Sequence, residues 1–295
     1  MSCGTVFELN TGAKIPAVGL GTYRSKPEEV YDAVLKAIKT GYRHIDAAYI
    51  YGNEKEVGKA IRDSGVPREE LFVTTKLWNT FHRPEDVQAG LQASLDNLQI
   101  DYLDLWLMHW PIAFVPGDSS IKPDQVQLDD TDFVDTYKAM EKLVGPKVRA
   151  IGVSNFSVPK LEKLLAETTV VPAANQVELH PYLPQRKLLD FCREKGIHVT
   201  AYCPLGSVDS PLMKDQKLLD LAKKYNASPA QMLISWGVKR GTSVIPKSVT
   251  PSRIEKNFHV VPLRDEDFNT LDSLVSDENP RRIVDPINFW GVSIF

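Results

Sequence analysis

Eight short apolar runs, each followed by an amphipathic helical stretch, alternate along this chain. They lie at 17–22, 42–46, 72–76, 103–109, 148–154, 173–179, 198–204 and 242–247. A strand that is apolar along its whole length is buried on both faces, which calls for a parallel sheet with helices outside it. Eight such units favour a closed barrel over an open doubly wound sheet. An open sheet would carry a GxGxxG turn after its first strand, and Gly19-Leu20-Gly21 does not continue that way. The expected fold is therefore α/β, a (β/α)8 TIM barrel formed as a single domain over 1–295, with long loops at the C-terminal face. A small hairpin, Phe7-Glu8-Leu9 returning as Lys14-Ile15-Pro16, precedes it.

The helical stretches have recognisable ends. The first, 27–40, carries Val30, Val34, Leu35 and Ile38 on one face, and others are expected at 84–98, 133–143, 185–195 and 264–275. Asn53 with Glu56 reads as a capping box, as does Ser228 with Gln231, while Ser157 and Thr250 read as caps with Pro159 and Pro251 in the first turn. The segments 111–132 and 206–214 lack periodicity and read as surface loops, and 277–295 as an irregular tail. Long loops in a compact domain are usually functional.

Composition narrows the function. The net charge of −3 shows no basic excess, so nucleic acid and anionic membranes are poor partners. Three scattered cysteines, Cys3, Cys192 and Cys203, form neither a disulfide framework nor a zinc site, and they fit a reducing compartment. No signal-peptide pattern and no apolar run of membrane length appear, so the cytosol is the default.

The active face of such a barrel lies at the carboxyl ends of its strands. Those ends read Thr22-Tyr23, Asp46, Lys76, His109-Trp110, Ser154-Asn155, Gln176, Tyr202 and Lys247. An acid at an apolar strand end is costly unless paired. A lone Asp46 would most simply bond loop amides, and a lone His109 would most simply be a satisfied core residue. Together, Asp46, Tyr51, Lys76 and His109 form a proton-transfer set. A tyrosine with a pKa of about 10 is a poor acid near neutrality unless a neighbouring ammonium stabilises its phenolate. Lys76 is placed to do that, and Asp46 to keep Lys76 charged. No HxxH, HExxH or Cys cluster points to a metal.

A second constellation, Lys247 and Ser248 just before a capped helix with Arg253 in its first turn, suits a phosphate group, although a solvated turn would look similar.

Taken together, GYRHIDAAYIYGNEKEVG, VRAIGVSNF and IPKSVTPSRIEKNF, with TTKLWN, LMHWP, NQVELHP and TAYCPLGS, resemble the aldo-keto reductase superfamily over nearly the whole chain. The branch most similar is that of NADPH-dependent aldehyde and aldose reductases. The resemblance implies that Tyr51 is the general acid, assisted by Lys76 and Asp46, with His109 orienting the carbonyl. It implies an NADPH/NADP+ site in which Tyr202 stacks on the nicotinamide and Ser154, Asn155 and Gln176 hold its carboxamide. Thr22, Tyr23, Leu205 and Ser207 line that site. Lys247, Ser248, Val249, Thr250, Arg253 and Asn257 take the 2′-phosphate and adenine, and Asp209 closes over the pyrophosphate by pairing with Arg24 or Lys247.

Three positions depart from the family pattern: Tyr23 replaces a frequent Trp, Cys203 a Ser, and Lys256 an acidic residue near the adenine. The substrate pocket is expected to be walled by Tyr23, Trp78, His109, Trp110 and Trp290, with Leu212 leaving one side without a large aromatic. These features imply a monomer or weak dimer that reduces small aldehydes, sugars or ketones. Two other readings share the barrel: a non-catalytic NADP-binding regulatory subunit, and a reductase specialised for a ketone, lactone or steroid.

Overall fold

The computed structural model describes residues 4–117, 125–207, 210–275 and 279–295. Hairpin strands β1 (Val6–Glu8) and β2 (Lys14–Pro16) come first, then β3 (Leu20–Gly21), α1 (Pro27–Thr40), β4 (His44–Asp46) and α2 (Glu54–Asp63). There follow β5 (Phe72–Leu77), α3 (Val87–Leu98), β6 (Leu105–Met108), the short strands β7 (Ala113–Phe114) and β8 (Leu128–Asp129), and α4 (Phe133–Glu141). The second half runs β9 (Ile151–Ser154), α5 (Val158–Glu167), β10 (Ala174–Glu178), α6 (Arg186–Glu194), β11 (His198–Tyr202), α7 (Gln216–Lys224) and α8 (Pro229–Lys239). It ends with β12 (Ser243–Val244), α9 (Pro251–Asn257), α10 (Asp265–Asp272) and the single turn α11 (Ile287–Trp290).

Eight strands pair in parallel in the order β3-β4-β5-β6-β9-β10-β11-β12. Bridges Val18–Val244 and Gly21–Lys247 join the two edges, so the sheet closes on itself. The seam needs glycine: a Cβ on Gly21 would sit 2.8 Å from the Ile245 carbonyl oxygen. The expected (β/α)8 barrel is therefore the observed fold.

Its principal core lies between strands and helices, where α1 buries Val30, Val34 and Ile38. The β1–β2 hairpin carries Ile15 into a second cluster with Phe72, Leu105 and Leu107, which plugs the amino end of the barrel. That leaves the other end of the barrel, where the carboxyl ends of the strands lie.

Regular pairing is shorter than the apolar runs suggest. Only Ser243–Val244 of 242–247 and Leu20–Gly21 of 17–22 are strand, because the strongly curved closure leaves isolated bridges on either side. The segment 111–132 is not wholly a loop, since β7 and β8 pair antiparallel at its stem. Asn53 does not cap α2 with its side chain; its Nδ2 donates to the carbonyls of Thr22 and Ser25, both at 3.0 Å, tying α2 to the loop after β3. Ser157 and Thr250 also make no side-chain cap, whereas Ser228 and Gln231 form the reciprocal capping box. The tail contains α11.

Helices α2 and α3 meet at Gly58, where a Cβ would lie 1.8 Å from the Leu98 carbonyl oxygen, the same oxygen that accepts from Arg62. Gly58→Ala should therefore destabilise the fold by about 1–3 kcal/mol or more, as overpacking against backbone does. A urea midpoint equal to that of the unmodified protein would contradict this packing.

Candidate active site

Asp46 ends β4 and Lys76 lies near the end of β5, side by side in the sheet and both fully buried. Lys76 Nζ donates to Asp46 Oδ1 at 2.6 Å and to the Ala47 carbonyl at 2.8 Å. The second Asp46 oxygen accepts from Gln176 Nε2 at 2.7 Å. Gln176 stands on β10, four strands away and so across the barrel from β4. Thr22 donates to the Asp46 carbonyl through both its backbone N–H and its hydroxyl.

Tyr51 ends a 3₁₀ turn, Tyr49–Tyr51, that follows β4. Its ring lies 5.2 Å from Lys76 Nζ, 5.0 Å from the Tyr23 ring and 5.9 Å from the His109 ring. The four expected proton-transfer residues therefore converge. The expected pairing of Lys76 with Asp46 is present. Burial, then the Asp46 carboxylate, push the Tyr51 phenol well above its usual pKa. Lys76 is held down by burial and neutralised by Asp46, so Tyr51 faces an ion pair and not a free ammonium. At rest the phenol therefore stays protonated. His109 is also held neutral, by burial first and then by Lys76, and its Nδ1 has no hydrogen-bond partner among the described residues.

Beside this cluster Ser154 and Asn155 end β9. Asn155 adopts a left-handed φ of 65°, a region asparagine tolerates. From there its Nδ2 donates to the His109 carbonyl at 2.9 Å, and its Oδ1 accepts from the Tyr202 hydroxyl at 2.7 Å. Ser154 Oγ donates to the Gln176 carbonyl at 2.7 Å. Gln176 thus spends one amide hydrogen on Asp46, which sequence reasoning did not foresee.

Around the rim Leu205 is half-buried and Ser207 exposed, and Asp209 lies outside the described residues. After β12, Lys247 and Arg253 are exposed, Val249 is half-buried, and Ser248 and Asn257 are buried. Lys247 Nζ reaches only the Arg24 carbonyl, at 3.4 Å, and neither cation has an acidic partner among the described residues. Ser248 Oγ accepts from the Thr250 N–H.

On the opposite rim Trp78 and Trp110 sit with Phe114 and Ile294 in a small apolar cluster. Trp290 packs at 5.3 Å from Trp110 and 6.0 Å from Trp78. Tyr23 is half exposed, with the Arg24 guanidinium 5.2 Å from its ring. Leu212 is not a wall of this space; it is fully buried in the principal core. Phe114 was missed because its strand hides in an aperiodic segment. Glu178 was missed as well, although it stands two residues beyond Gln176 on the same strand.

Residues 17–276 match the aldo/keto reductase family. The chain belongs to that family.

This aldo/keto reductase is 48% identical over 295 residues to glycerol 2-dehydrogenase (NADP(+)) of Saccharomyces cerevisiae, covering 95% of this chain and 94% of that one. It is equally similar, 48% over 302 residues, to aldo-keto reductase family 1 member A1 of Sus scrofa, covering 96% and 92%. Its fold superposes on the aldose reductase of Schistosoma japonicum with a TM-score of 0.91 at 38% identity, covering 98% and 97%.

The reductase carries four histidines whose pKa burial depresses: His44 and His109, His82 pushed down to about 3 and His198 to about 4. All are neutral in the fold near neutrality, whereas in the unfolded chain each takes up a proton below about pH 6.5. Below that pH the unfolded state binds more protons, so stability is lost as pH falls. Each histidine contributes up to about 1.4 kcal/mol per pH unit, and among the described residues only Glu54, pushed up by burial, opposes them near this window. Urea midpoints should therefore drop between pH 6.5 and pH 5; a flat profile would contradict neutral burial.

Proposed function

We propose that this protein reduces small aldehydes, sugars or ketones to alcohols with NADPH, Tyr51 acting as general acid. The observation that carries this reading is the convergence of Tyr51 and His109, both neutral, on the buried Lys76–Asp46 pair at the open end of the barrel. A protonated phenol beside a neutral imidazole is a donor set suited to a carbonyl oxygen that gains negative charge. Among the described residues no helix is long and apolar enough to cross a membrane.

The cofactor is NADPH/NADP+, and the rim fits it. Lys247 and Arg253 present two cations without acidic partners, as a 2′-phosphate requires. Ser248 and Asn257 lie buried beneath them, with Val249 and Thr250 alongside. Tyr202, fixed by Asn155, offers a ring face at the mouth, and Ser154, Asn155 and Gln176 supply polar atoms for an amide. When bound, NADPH supplies the hydride.

Every proton-handling task falls to the chain's own residues. His109, held neutral by burial, orients the carbonyl. Tyr51 gives its hydroxyl proton to the oxygen. The Lys76 ammonium, still held by Asp46, steadies the phenolate left behind, at the moment when negative charge first appears there. Trp78, Trp110 and Trp290 grip a short carbon chain, and the Tyr23 hydroxyl offers it a polar contact. The chain works as one domain, and its uncoupled cysteines Cys192 and Cys203 suit a cytosolic enzyme, monomeric or weakly dimeric.

Tyr51→Phe should lower kcat for DL-glyceraldehyde by about 10²–10⁴-fold while NADPH binding, followed by fluorescence titration, stays near that of the unmodified enzyme. Near-native turnover by this variant would sink the assignment. Failure of the unmodified protein to reduce any simple aldehyde would favour a regulatory NADP-binding role.

Arg253→Ala tests the phosphate site. A charge-assisted contact is worth roughly 1.5–3 kcal/mol, so KM for NADPH should rise about tenfold or more while that for NADH hardly moves. Equal kcat/KM for the two cofactors in the unmodified enzyme would contradict the clamp.

A further inference from the structure

Glu178 is the last residue of β10, two positions beyond Gln176 and therefore on the same face of the strand. Gln176 reaches inward to Asp46, and Glu178 stands one step nearer the mouth. It is fully buried, where an unpaired carboxylate is very costly. Its partners are backbone groups of the tail: Ile283 N–H donates to Oε1 at 2.8 Å and Val284 N–H to Oε2 at 2.7 Å. His180 Nε2 lies 2.9 Å from Oε1.

The tail is anchored at two further points. Arg281 N–H donates to the Tyr182 carbonyl at 2.8 Å, and Lys160 Nζ donates to the Ile294 carbonyl at 2.5 Å. Between the anchors, α11 presents Trp290 to Phe114, Trp110 and Trp78, at ring separations of 4.9, 5.3 and 6.0 Å. Of the three anchors, only the Glu178 contact has an acceptor that is charged, buried and held on the barrel itself.

We propose that Glu178 is a positioning residue that clasps the C-terminal tail, sets the place of the Trp290 wall, and so favours short carbonyl substrates over bulky ones. This rests on the reading of the Tyr51 site as a carbonyl reductase. The clasp is self-enforcing. If residues 283–284 lift away, Glu178 loses two charge-assisted bonds, which are stronger than neutral ones. A tail held only by apolar contacts would carry no such penalty.

Glu178→Gln keeps the shape but turns one acceptor oxygen into an N–H donor facing a tail N–H. In this variant the ratio of kcat/KM for DL-glyceraldehyde to that for a bulky steroid ketone should fall at least fivefold, mainly through KM. The Kd for NADPH should stay within twofold. In a Trp290→Ala background, Glu178→Gln should no longer change that ratio, because the wall it positions is gone. An unchanged ratio, or an equal effect with and without Trp290, would overturn the proposal.

Hydrogen exchange on the unmodified protein decides the clasp even if the variant fails to fold. The Ile283 and Val284 amides should exchange at least tenfold more slowly than those of Ile287 and Asn288, and equal rates would overturn it. If the unmodified protein reduces no carbonyl, the reductase reading fails, while the exchange result still decides whether Glu178 holds the tail.

Discussion

The ion pair between Lys76 and Asp46 is the contact on which the rest of the site depends. Two charges are placed in a dry barrel, and removing one partner of such a pair typically costs about 3–5 kcal/mol. Lys76 donates a second bond to the Ala47 carbonyl, and the other Asp46 oxygen accepts from Gln176. Gln176 comes from the far side of the barrel, so both Asp46 oxygens are bonded only when the sheet closes. Closure in turn depends on Gly21 admitting the Ile245 carbonyl at the seam. Chemistry and architecture are thereby linked through one carboxylate.

That pair also explains why the mouth is electrically quiet. Asp46 neutralises Lys76, burial keeps His109 uncharged, and Tyr51 keeps its proton. A site of this kind holds preorganised dipoles ready for charge that develops during reaction, in surroundings where they act more strongly than in water. The fixed cations, Lys247 and Arg253, stand apart on the rim, where they are exposed. On the proposed function, binding charge and reacting charge are thus kept in separate places.

Strand β10 connects the two functions of the mouth. Gln176 supports the proton-transfer cluster below, and Glu178 holds the tail above. A change in the tail's seating is therefore only two residues removed from the group that braces Asp46. Pocket shape and acid–base geometry share one rigid element, the arrangement expected to keep a site well positioned.

The sequence by itself determined the barrel and much of its mouth, because both are written in local periodicity. Continuous apolar runs demand burial on both faces, and the polar residue that ends each run must face the open end; Asp46, Lys76, His109 and Gln176 were legible for that reason. What only the tertiary structure decided was who satisfies whom. Asn53 looked like a helix cap by its spacing, yet it bonds carbonyls of a loop some thirty residues earlier. The pairing of Lys76 with Asp46 was expected from the sequence, but that Gln176 from across the barrel takes the second Asp46 oxygen was not. Glu178 carried no local signal of its hold on the tail, since the amides of Ile283 and Val284 lie more than a hundred residues away. Hydrogen bonds and pKa values depend on distances across the fold, and a linear pattern holds no record of those distances until the sheet has closed.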